Sequence, residues 1–163
     1  MGIQTTIFNT IKEQLSLDEN LRTYIDGIYE GFRKGGDAYI PKAARNYIVM
    51  EVMSAIEDYP NGGDAVVGIQ KSLTMNIAVL GVITVIDKDN TDANGGALTT
   101  IDNQIGLLNM DEDIKNAIDN NVEIQKLGYS INATTRNFLF EDFPWRKTHI
   151  EIIIKRNFTK GQR

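Results

Sequence analysis

Apolar residues recur at helical spacing at the start of the chain. They fall three or four positions apart and therefore share one face of a helix: Ile3, Ile7, Phe8, Ile11 and Leu15. The pattern predicts an amphipathic helix over residues 4–15. Residues 24–32 follow as a short strand that is interrupted by glycines, and residues 47–53 form an apolar, β-branched run that is typical of a second strand.

The most regular alternation of the chain lies in residues 73–85. Apolar side chains occupy one parity: Leu73, Met75, Ile77, Val79, Ile83 and Val85. Polar side chains occupy most of the other: Ser72, Thr74, Asn76 and Thr84. This predicts a long strand with one buried face. Because Leu80, Val82 and Ile86 make the second face apolar as well, we expect this part either to be covered on both sides or to lie at a subunit contact.

The C-terminal half mixes both periodicities. Leu98, Ile101, Ile105 and Leu108 predict a helix over residues 98–108. An interruption at 109–111 and a second helix that starts with acidic residues at 111–113 are expected next. Residues 122–140 are expected to supply one or two strands, and alternation around Ile150, Ile152 and Ile154 indicates a closing strand.

These elements predict an α+β fold in which a mixed or antiparallel β-sheet packs against two main helices. At 163 residues the chain has the length of one domain, and no repeat or linker divides it. We expect a single domain over residues 1–163, with mobile loops near 58–70 and 87–97 and a loose C-terminal end at 157–163.

Charge is distributed unevenly along the chain. The last twenty residues hold six basic side chains against one acidic side chain, a net of +5, so the total of −5 leaves −10 on residues 1–143. An acidic body argues against a dedicated nucleic-acid binder, which needs a broad basic face. The basic end is either a solvated terminal strand or a surface that meets an acidic neighbour, such as another copy of the chain.

Other classes are disfavoured by what the sequence lacks. Cysteine is absent, which excludes disulfides, thiolate metal sites and cysteine nucleophiles. The longest apolar run, 77–86, is too short to span a membrane, and the N-terminus has no pattern of a secretory signal, so we expect a soluble protein without a membrane partner. Gly2 and Thr6 match the loose pattern for N-myristoylation, which chance matches readily.

Three segments invite a chemical interpretation. The loop 87–96 is rich in oxygen ligands, but it has Asp92 where a calcium-binding EF-hand loop needs glycine and Leu98 where it needs glutamate. Segment 63–68 resembles the start of a phosphate-binding loop, but a strand rather than a helix follows it. His149 and Glu151 share one face of a strand without a nucleophile at a motif-like position, so an exposed strand pair is favoured over acid–base catalysis.

The densest aromatic group surrounds Pro144 and consists of Phe138, Phe140, Phe143 and Trp145. It is interpreted either as the edge of the core or as an anchor for a protein interface, since aromatic residues dominate such contacts. No catalytic, cofactor-binding or metal-binding residue is predicted, and the chain is not expected to be an enzyme.

The order of these elements resembles that of the tail terminator, or tail completion, proteins of tailed bacteriophages. The shared features are the N-terminal helix, the strands at 47–53 and 73–85, the helix at 98–108 and the closing strand at 149–155. They cover most of the chain but include no diagnostic motif.

The resemblance implies a ring, usually hexameric, that caps the tail tube in the virion after assembly in the bacterial cytoplasm. It implies partners among copies of the same chain, the tail tube protein and head–tail connector proteins, with DNA passing through the lumen unbound. It implies no catalytic residue. On physical grounds the expected interface lies in the loops near 58–70 and 87–97 and in the segment 143–147, at the following residues: Asp64, Val66, Asp89, Asp92, Phe143, Trp145, Arg146 and Lys147. Another connector or tube protein, a small enzyme and a ligand-binding domain are the alternatives.

Overall fold

The computed structural model describes residues 2–31, 46–58, 70–84, 105–134 and 145–159. Its helices are α1 (Ile3–Leu17), α2 (Leu107–Asp119) and α3 (Val122–Gln125), with a 3₁₀ turn at Leu21–Thr23. Its strands are β1 (Gly27–Glu30), β2 (Asn46–Asp58), β3 (Gln70–Thr84), β4 (Tyr129–Thr134) and β5 (Trp145–Thr159).

The strands form one five-stranded sheet in the order β1-β2-β3-β5-β4. β1 pairs with β2 in parallel, whereas every other neighbouring pair is antiparallel. The sheet is therefore mixed, and α1 and α2 pack against it, which confirms the predicted α+β class.

One face of the sheet and the helices share the main hydrophobic core. The predicted alternation of β3 is confirmed, because Leu73, Met75, Ile77, Val79 and Ile83 all belong to this core. They pack with the helix α1 residues Ile7, Ile11 and Leu15, with residues of α2 and with the alternate isoleucines of β5, which are Ile150, Ile152 and Ile154. Apolar residues recur at every second position in the strands and at every third or fourth position in the helices, so each element has one apolar face. Packing of these faces against each other removes both from water.

The opposite face of the sheet is also buried where β1, the start of β2 and the end of β3 meet. Val49 and Val82 are fully buried there and cluster with Tyr47, and Tyr29 and Leu80 pack against them. The rings of Tyr29 and Tyr47 meet edge to face with centroids 5.8 Å apart. The expectation that the apolar part of β3 is covered on both sides is confirmed up to Ile83, and Val85 and Ile86 lie outside the described residues.

Helix α1 confirms the first predicted helix and is slightly longer than expected. It ends where the side chain of Asp18 accepts hydrogen bonds from the backbone N–H groups of Asn20 and Leu21, at 3.0 and 2.9 Å. An aspartate that bonds to the backbone two and three residues ahead favours a turn over further helix. The 3₁₀ turn that follows carries Leu21 into the core.

Helix α2 corrects the prediction for residues 105–113. Ile105 and Gly106 precede the helix, so within the described residues the helical region starts only at Leu107. The expected interruption at 109–111 is wrong, because these residues lie inside one continuous helix. The acidic residues at 111–113 therefore follow the first turn instead of opening a second helix. Core contacts of Met110, Ile114 and Ala117 maintain the helical period across the polar positions.

Strands β2, β3 and β5 are longer than the sequence indicated. Asp58 and Gln70 lie in β2 and β3, so the loop expected at 58–70 is shorter, and residues 59–69 lie outside the described part. Residues 122–125 form the short helix α3 rather than a strand, because Asn121 caps it by accepting a hydrogen bond from the N–H of Ile124. Residues 157–159 belong to β5, which corrects the expectation of a loose end there. Strand β1 is shorter than the predicted segment 24–32.

Candidate assembly surface

The two ends of the sheet differ in how many strands they contain. β1 pairs only with residues 47–50 of β2, and β4 pairs only with residues 149–154 of β5. From Ile56, Thr74 and Lys155 onward the described sheet consists of β2, β3 and β5 alone, whereas at the level of residues 51–55 strand β4 still pairs with β5. We call residues 51–58 of β2 the β2 edge and residues 155–159 of β5 the β5 edge.

The β2 edge exposes apolar side chains. Val52, Met53 and Ile56 are 40%, 54% and 61% exposed, respectively. The residues of β3 that face the helices behave differently, because Leu73, Met75 and Ile77 are fully or almost fully buried. Val52 pairs with the buried Ile77, whereas Ile56 pairs with Thr74. Within the described residues no strand pairs with β2 on this side beyond Met50, whose carbonyl accepts a hydrogen bond from the N–H of Gly31 at 2.8 Å. An exposed apolar edge of this length is a site at which another chain can add.

The β2 edge also contains an irregularity. The register with β3 shifts between Val52 and Ser54, which leaves Met53 as an extra residue. A bulge twists the strand, and this limits uncontrolled pairing of an open edge. The bulge also reverses the alternation, so that Ile56 lies on the face opposite the helices, whereas the even-numbered residues before the bulge point toward them.

The β5 edge begins where β4 ends. The last pair is Tyr129 with Ile154, and Gly128, at φ +70°, turns the chain away. A side chain at this φ is strained, so glycine suits the position. Lys155, Arg156 and Asn157 are exposed on β5 beyond this point. No described strand pairs with them on the side away from β3.

The two edges carry opposite charge. Glu51, Glu57 and the exposed Asp58 lie on the β2 edge, whereas Lys155 and Arg156 lie on the β5 edge. Both edges extend toward the same end of the sheet, since Asp58 pairs with Ser72 and Ser72 pairs with Asn157. The strands β2 and β5 run in the same direction, because each is antiparallel to β3 between them.

The interface residues predicted from the sequence fall mostly elsewhere. Lys147 lies on β5 opposite Val82, on the face away from the helices, and is partly buried. Trp145 and Arg146 belong to β5 opposite Thr84 and Ile83, at the end far from the two edges. The remaining candidates lie outside the described residues: Asp64, Val66, Asp89, Asp92 and Phe143. The same holds for the loop 87–97 and for the aromatic residues Phe138 and Phe140.

The sequence contains a signal for the β2 edge that the prediction did not use. Apolar residues continue past the bulge at Ala55 and Ile56. Both side chains are exposed, although adjacent strand residues point to opposite faces of the sheet. In the sequence, Lys155 and Arg156 are distinguished only as part of a basic terminus. The pairing that places it at the same end of the sheet as Asp58 depends on contacts between distant parts of the chain.

His149 and Glu151 share one strand face as predicted, but the expectation of an exposed pair is wrong, because their side chains are only 15% and 29% exposed. His149 Nε2 lies 3.5 Å from Glu151 Oε1, on the face opposite the helices. The nitrogen is buried and makes no hydrogen bond, so the 3.5 Å contact is close enough for an ion pair but lacks hydrogen-bond geometry. Asn76 Oδ1, on the same face of β3, is buried and also lacks a hydrogen bond. A His–carboxylate pair alone does not define a catalytic site, which also needs a group to activate.

A buried polar network holds α2 against the sheet. The carboxylate of Asp111 accepts a hydrogen bond from the Thr148 hydroxyl of β5 and lies 2.7 Å from Lys115 Nζ. Gly81 makes room for this contact, since a Cβ there would lie 2.7 Å from Thr148 Cγ2 and 2.9 Å from Ile114 Cδ1. The network has a structural role, because pairing and hydrogen bonding satisfy the buried charge of Asp111.

Two tyrosine hydroxyls form hydrogen bonds with carboxylates of helix α2. The Tyr24 hydroxyl donates to Asp113 Oδ2 at 2.8 Å, and burial together with this carboxylate raises the Tyr24 pKa above its ordinary range. The Tyr129 hydroxyl lies 3.0 Å from Asp119 Oδ1, and burial, followed by the hydrogen bond and the negative charge of Asp119, raises the Tyr129 pKa to about 12. Both hydroxyls therefore remain protonated donors at neutral pH.

Two searches of the described residues for other features were negative. No group of three or more His, Cys, Asp or Glu side chains in this part of the chain is arranged to hold a metal ion. None of the described helices combines the length and the apolar character that crossing a membrane requires.

Comparison with known proteins gives no assignment. No protein-family model matches the chain, and a search of curated proteins also gives no match.

Proposed function

We propose that this protein is a structural component of a bacteriophage particle, a tail terminator that forms a ring on the end of the tail tube. The ring stops tube polymerisation and offers a docking surface to the head-side connector. A hexamer is the favoured ring. The observation that carries the proposal is the three-stranded end of the sheet, with an exposed apolar edge on β2 and a basic edge on β5.

Element order supports this proposal. The sequence resembles tail terminators in having an N-terminal helix, long central strands, a second helix and a closing strand. The α+β fold with helices on one face of a mixed sheet is compatible with that family. Strands β3 and β5 pair over their full lengths, Gln70–Thr84 with Trp145–Thr159, and provide a rigid body from which the edges project.

The edges support assembly more directly than they support any activity. A folded monomer gains nothing from exposing Val52, Met53 and Ile56 to water, whereas burial against a neighbour removes this apolar area from solvent. Ring closure also pairs or covers open edges that otherwise invite aggregation.

The net charge is consistent with a channel for DNA. Residues 1–143 carry a net charge of −10, because the C-terminal twenty residues contribute +5 to a total of −5. A ring lined by acidic surface repels phosphate, so DNA passes through the lumen without adhering.

A second function, hydrolysis by a small enzyme, has one observation in its favour. His149 and Glu151 lie side by side on a partly buried surface. Replacement of His149 by alanine separates the two proposals. Loss of a hydrolytic activity supports the enzyme, and unchanged assembly supports the structural role.

The test of the proposed function uses purified protein and tail tubes. The protein is examined by electron microscopy alone and after addition to polymerising tail tube subunits. We expect flat hexameric rings and tubes that stop growing with a ring at one end. A dodecamer or an extended tube formed by this chain alone would favour a connector or tube protein instead. A monomer at micromolar concentration that leaves tube growth unchanged would refute the proposal.

A further inference from the structure

The open end of the sheet determines how copies of the chain meet. We infer that the β2 edge of one copy packs against the β5 edge of the next, in a head-to-tail contact that repeats around the assembly. This inference rests on the proposed ring and names the two surfaces that build it.

Charge complementarity selects this arrangement over two-fold contacts. If two copies met through their β2 edges, Glu51 and Asp58 of each would face the same acids of the other. If they met through their β5 edges, Lys155 and Arg156 would face the same bases. Like charges across a contact are strongly unfavourable, whereas β2 against β5 places acids beside bases.

The apolar residues supply the contact that charge alone does not. Ile56 lies on the face opposite the helices together with Glu51 and Asp58, and Lys155 lies on the same face of β5, so burial of apolar surface and pairing of charge occur together on that face. Val52 lies on the helix face, as Arg156 does. Long side chains such as Lys155 and Arg156 can cover such a patch with their methylene stems while their charged ends remain near water. The patch therefore combines an apolar centre with charged borders, as protein interfaces do.

Strand direction and symmetry agree with a head-to-tail contact. Since β2 and β5 run in the same direction, a rotation that continues the sheet from one copy to the next brings the two edges together as parallel neighbours. Such a contact uses two different surfaces and leaves one free edge at each end of a chain of copies. It is satisfied everywhere only when the chain of copies closes into a ring.

The position of β4 sets the offset between neighbours. β4 occupies the side of β5 up to Ile154, so the next copy can reach only residues 155–159. These five residues span about 17 Å. In the sheet of a single copy, Ile56 is level with Lys155, because both pair with Thr74. Placing residues 51–58 of the next copy beside residues 155–159 therefore requires a shift of the next copy along the strand direction. A flat closed ring can contain this shift at every contact only if its strands are inclined to the ring axis, as in closed barrels.

Charge reversal on both edges tests the inference. The basic-β2 variant carries Glu51→Lys and Asp58→Lys, the acidic-β5 variant carries Lys155→Glu and Arg156→Glu, and the swapped variant carries all four changes. The size of the assembly is measured by sedimentation velocity across a dilution series of full-length protein. The matched controls are Glu112→Lys on α2 and Arg22→Glu on the 3₁₀ turn, which are exposed positions away from both edges.

We expect each two-site variant to raise the dissociation constant of the assembly at least about tenfold at low salt, because like charges then face each other. The swapped variant restores assembly, since its acids and bases have exchanged places, and its recovery shows that the reversed side chains permit folding. Controls assemble as the unchanged protein does. Far-UV circular dichroism checks that each variant is folded.

The outcomes separate this inference from the proposed function. Rings that persist in both two-site variants overturn the edge contact and leave a ring by another surface possible. Loss of assembly without recovery in the folded swapped variant also overturns it. An assembly that depends on the edges as expected but does not cap tail tubes supports the contact and overturns the tail terminator.

Discussion

The helix-covered part of the sheet and the β2 edge contain similar apolar residues but differ in how far these residues are buried. In the first part, Ile48, Ile77 and Ile152 are fully buried under α1 and α2. At the β2 edge, Val52, which pairs with Ile77, and Ile56, which lies further along the strand, remain exposed. The first part stabilises the folded chain, and the second part is where we propose that a neighbouring copy binds.

The difference lies in neighbours rather than in residue type. Isoleucine occurs in both regions, and strand propensity is similar in both. What changes is that β1 stops at Glu30 and β4 starts at Tyr129, so the outer strands do not extend to the end of the sheet. A short outer strand thus leaves apolar residues of an ordinary strand exposed at the edge of the sheet.

Truncation of one isoleucine in each region tests the difference between the two regions with the largest expected effect. We expect Ile77→Ala to lower the free energy of unfolding by about 2–5 kcal/mol, because it leaves a cavity in the core. Ile56→Ala should change monomer stability by less than about 0.5 kcal/mol and instead weaken assembly. Urea denaturation of the dissociated protein measures the first effect, and sedimentation measures the second. Equal destabilisation by both changes would contradict the division between the two regions.

Removal of the buried carboxylate of α2 should have the next largest effect. Asp111→Ala leaves the Thr148 hydroxyl and the Lys115 ammonium without this partner, and we expect a loss of about 1–3 kcal/mol in the free energy of unfolding. Glu112→Ala is the matched control, because Glu112 is the exposed neighbour on the same helix. Assembly of the folded Asp111→Ala protein should be unchanged. A control as damaging as the variant would rule out the network as the cause.

Replacement of Tyr129 should have a smaller effect on the free energy of unfolding, and this effect should depend on pH. Tyr129→Phe should cost about 0.5–1.5 kcal/mol at neutral pH, since it removes the hydroxyl that bonds to Asp119. The pKa of Tyr129 rises from 10.0 to about 12, so the contribution is fully present below pH 10 and is lost as the pH rises toward 12. The difference in stability between the original protein and the variant should therefore shrink over this interval. A constant difference in thermal unfolding across it would contradict the assigned pKa shift.

The smallest expected effect is that of His149→Ala on assembly. His149 lies opposite Leu80, on the part of β5 that β4 already covers, and so belongs to neither edge. We expect the sedimentation profile to match that of the unchanged protein within error. His149→Gln serves as the control that retains size and polarity. Loss of assembly in the alanine variant alone would move the interface toward the centre of the sheet.

Sequence periodicity predicted α1, β3 and the alternating isoleucines of β5, because each has one strongly apolar face. It failed at α2, where Asn109 and Asp111 resemble a break in the helix. In the structure Asp111 accepts a hydrogen bond from Thr148, which is 37 residues away in the sequence, and this contact satisfies a polar side chain inside the continuous helix. Pattern reasoning within a local window does not detect such a partner.

The proposed assembly surface differs from the interface that the sequence predicts. A contact at the loop residues and at the segment 143–147 stays a prediction. The β2 edge depends on where β1 ends and on a bulge at Met53, and neither follows from the local pattern. Opposite charges at Asp58 and Arg156 become informative only after the register places both at one end of the sheet.

The most direct test of the head-to-tail ring is native mass spectrometry of an equimolar mixture of the basic-β2 and acidic-β5 variants, with one variant uniformly labelled with heavy nitrogen. Each variant alone has like charges at every contact, whereas alternation of the two makes every contact complementary. We expect little assembly from either variant alone and an even-numbered assembly with equal copies of both from the mixture, three of each for a hexamer. Assemblies of random composition, or the same assemblies from each variant alone, would contradict the account.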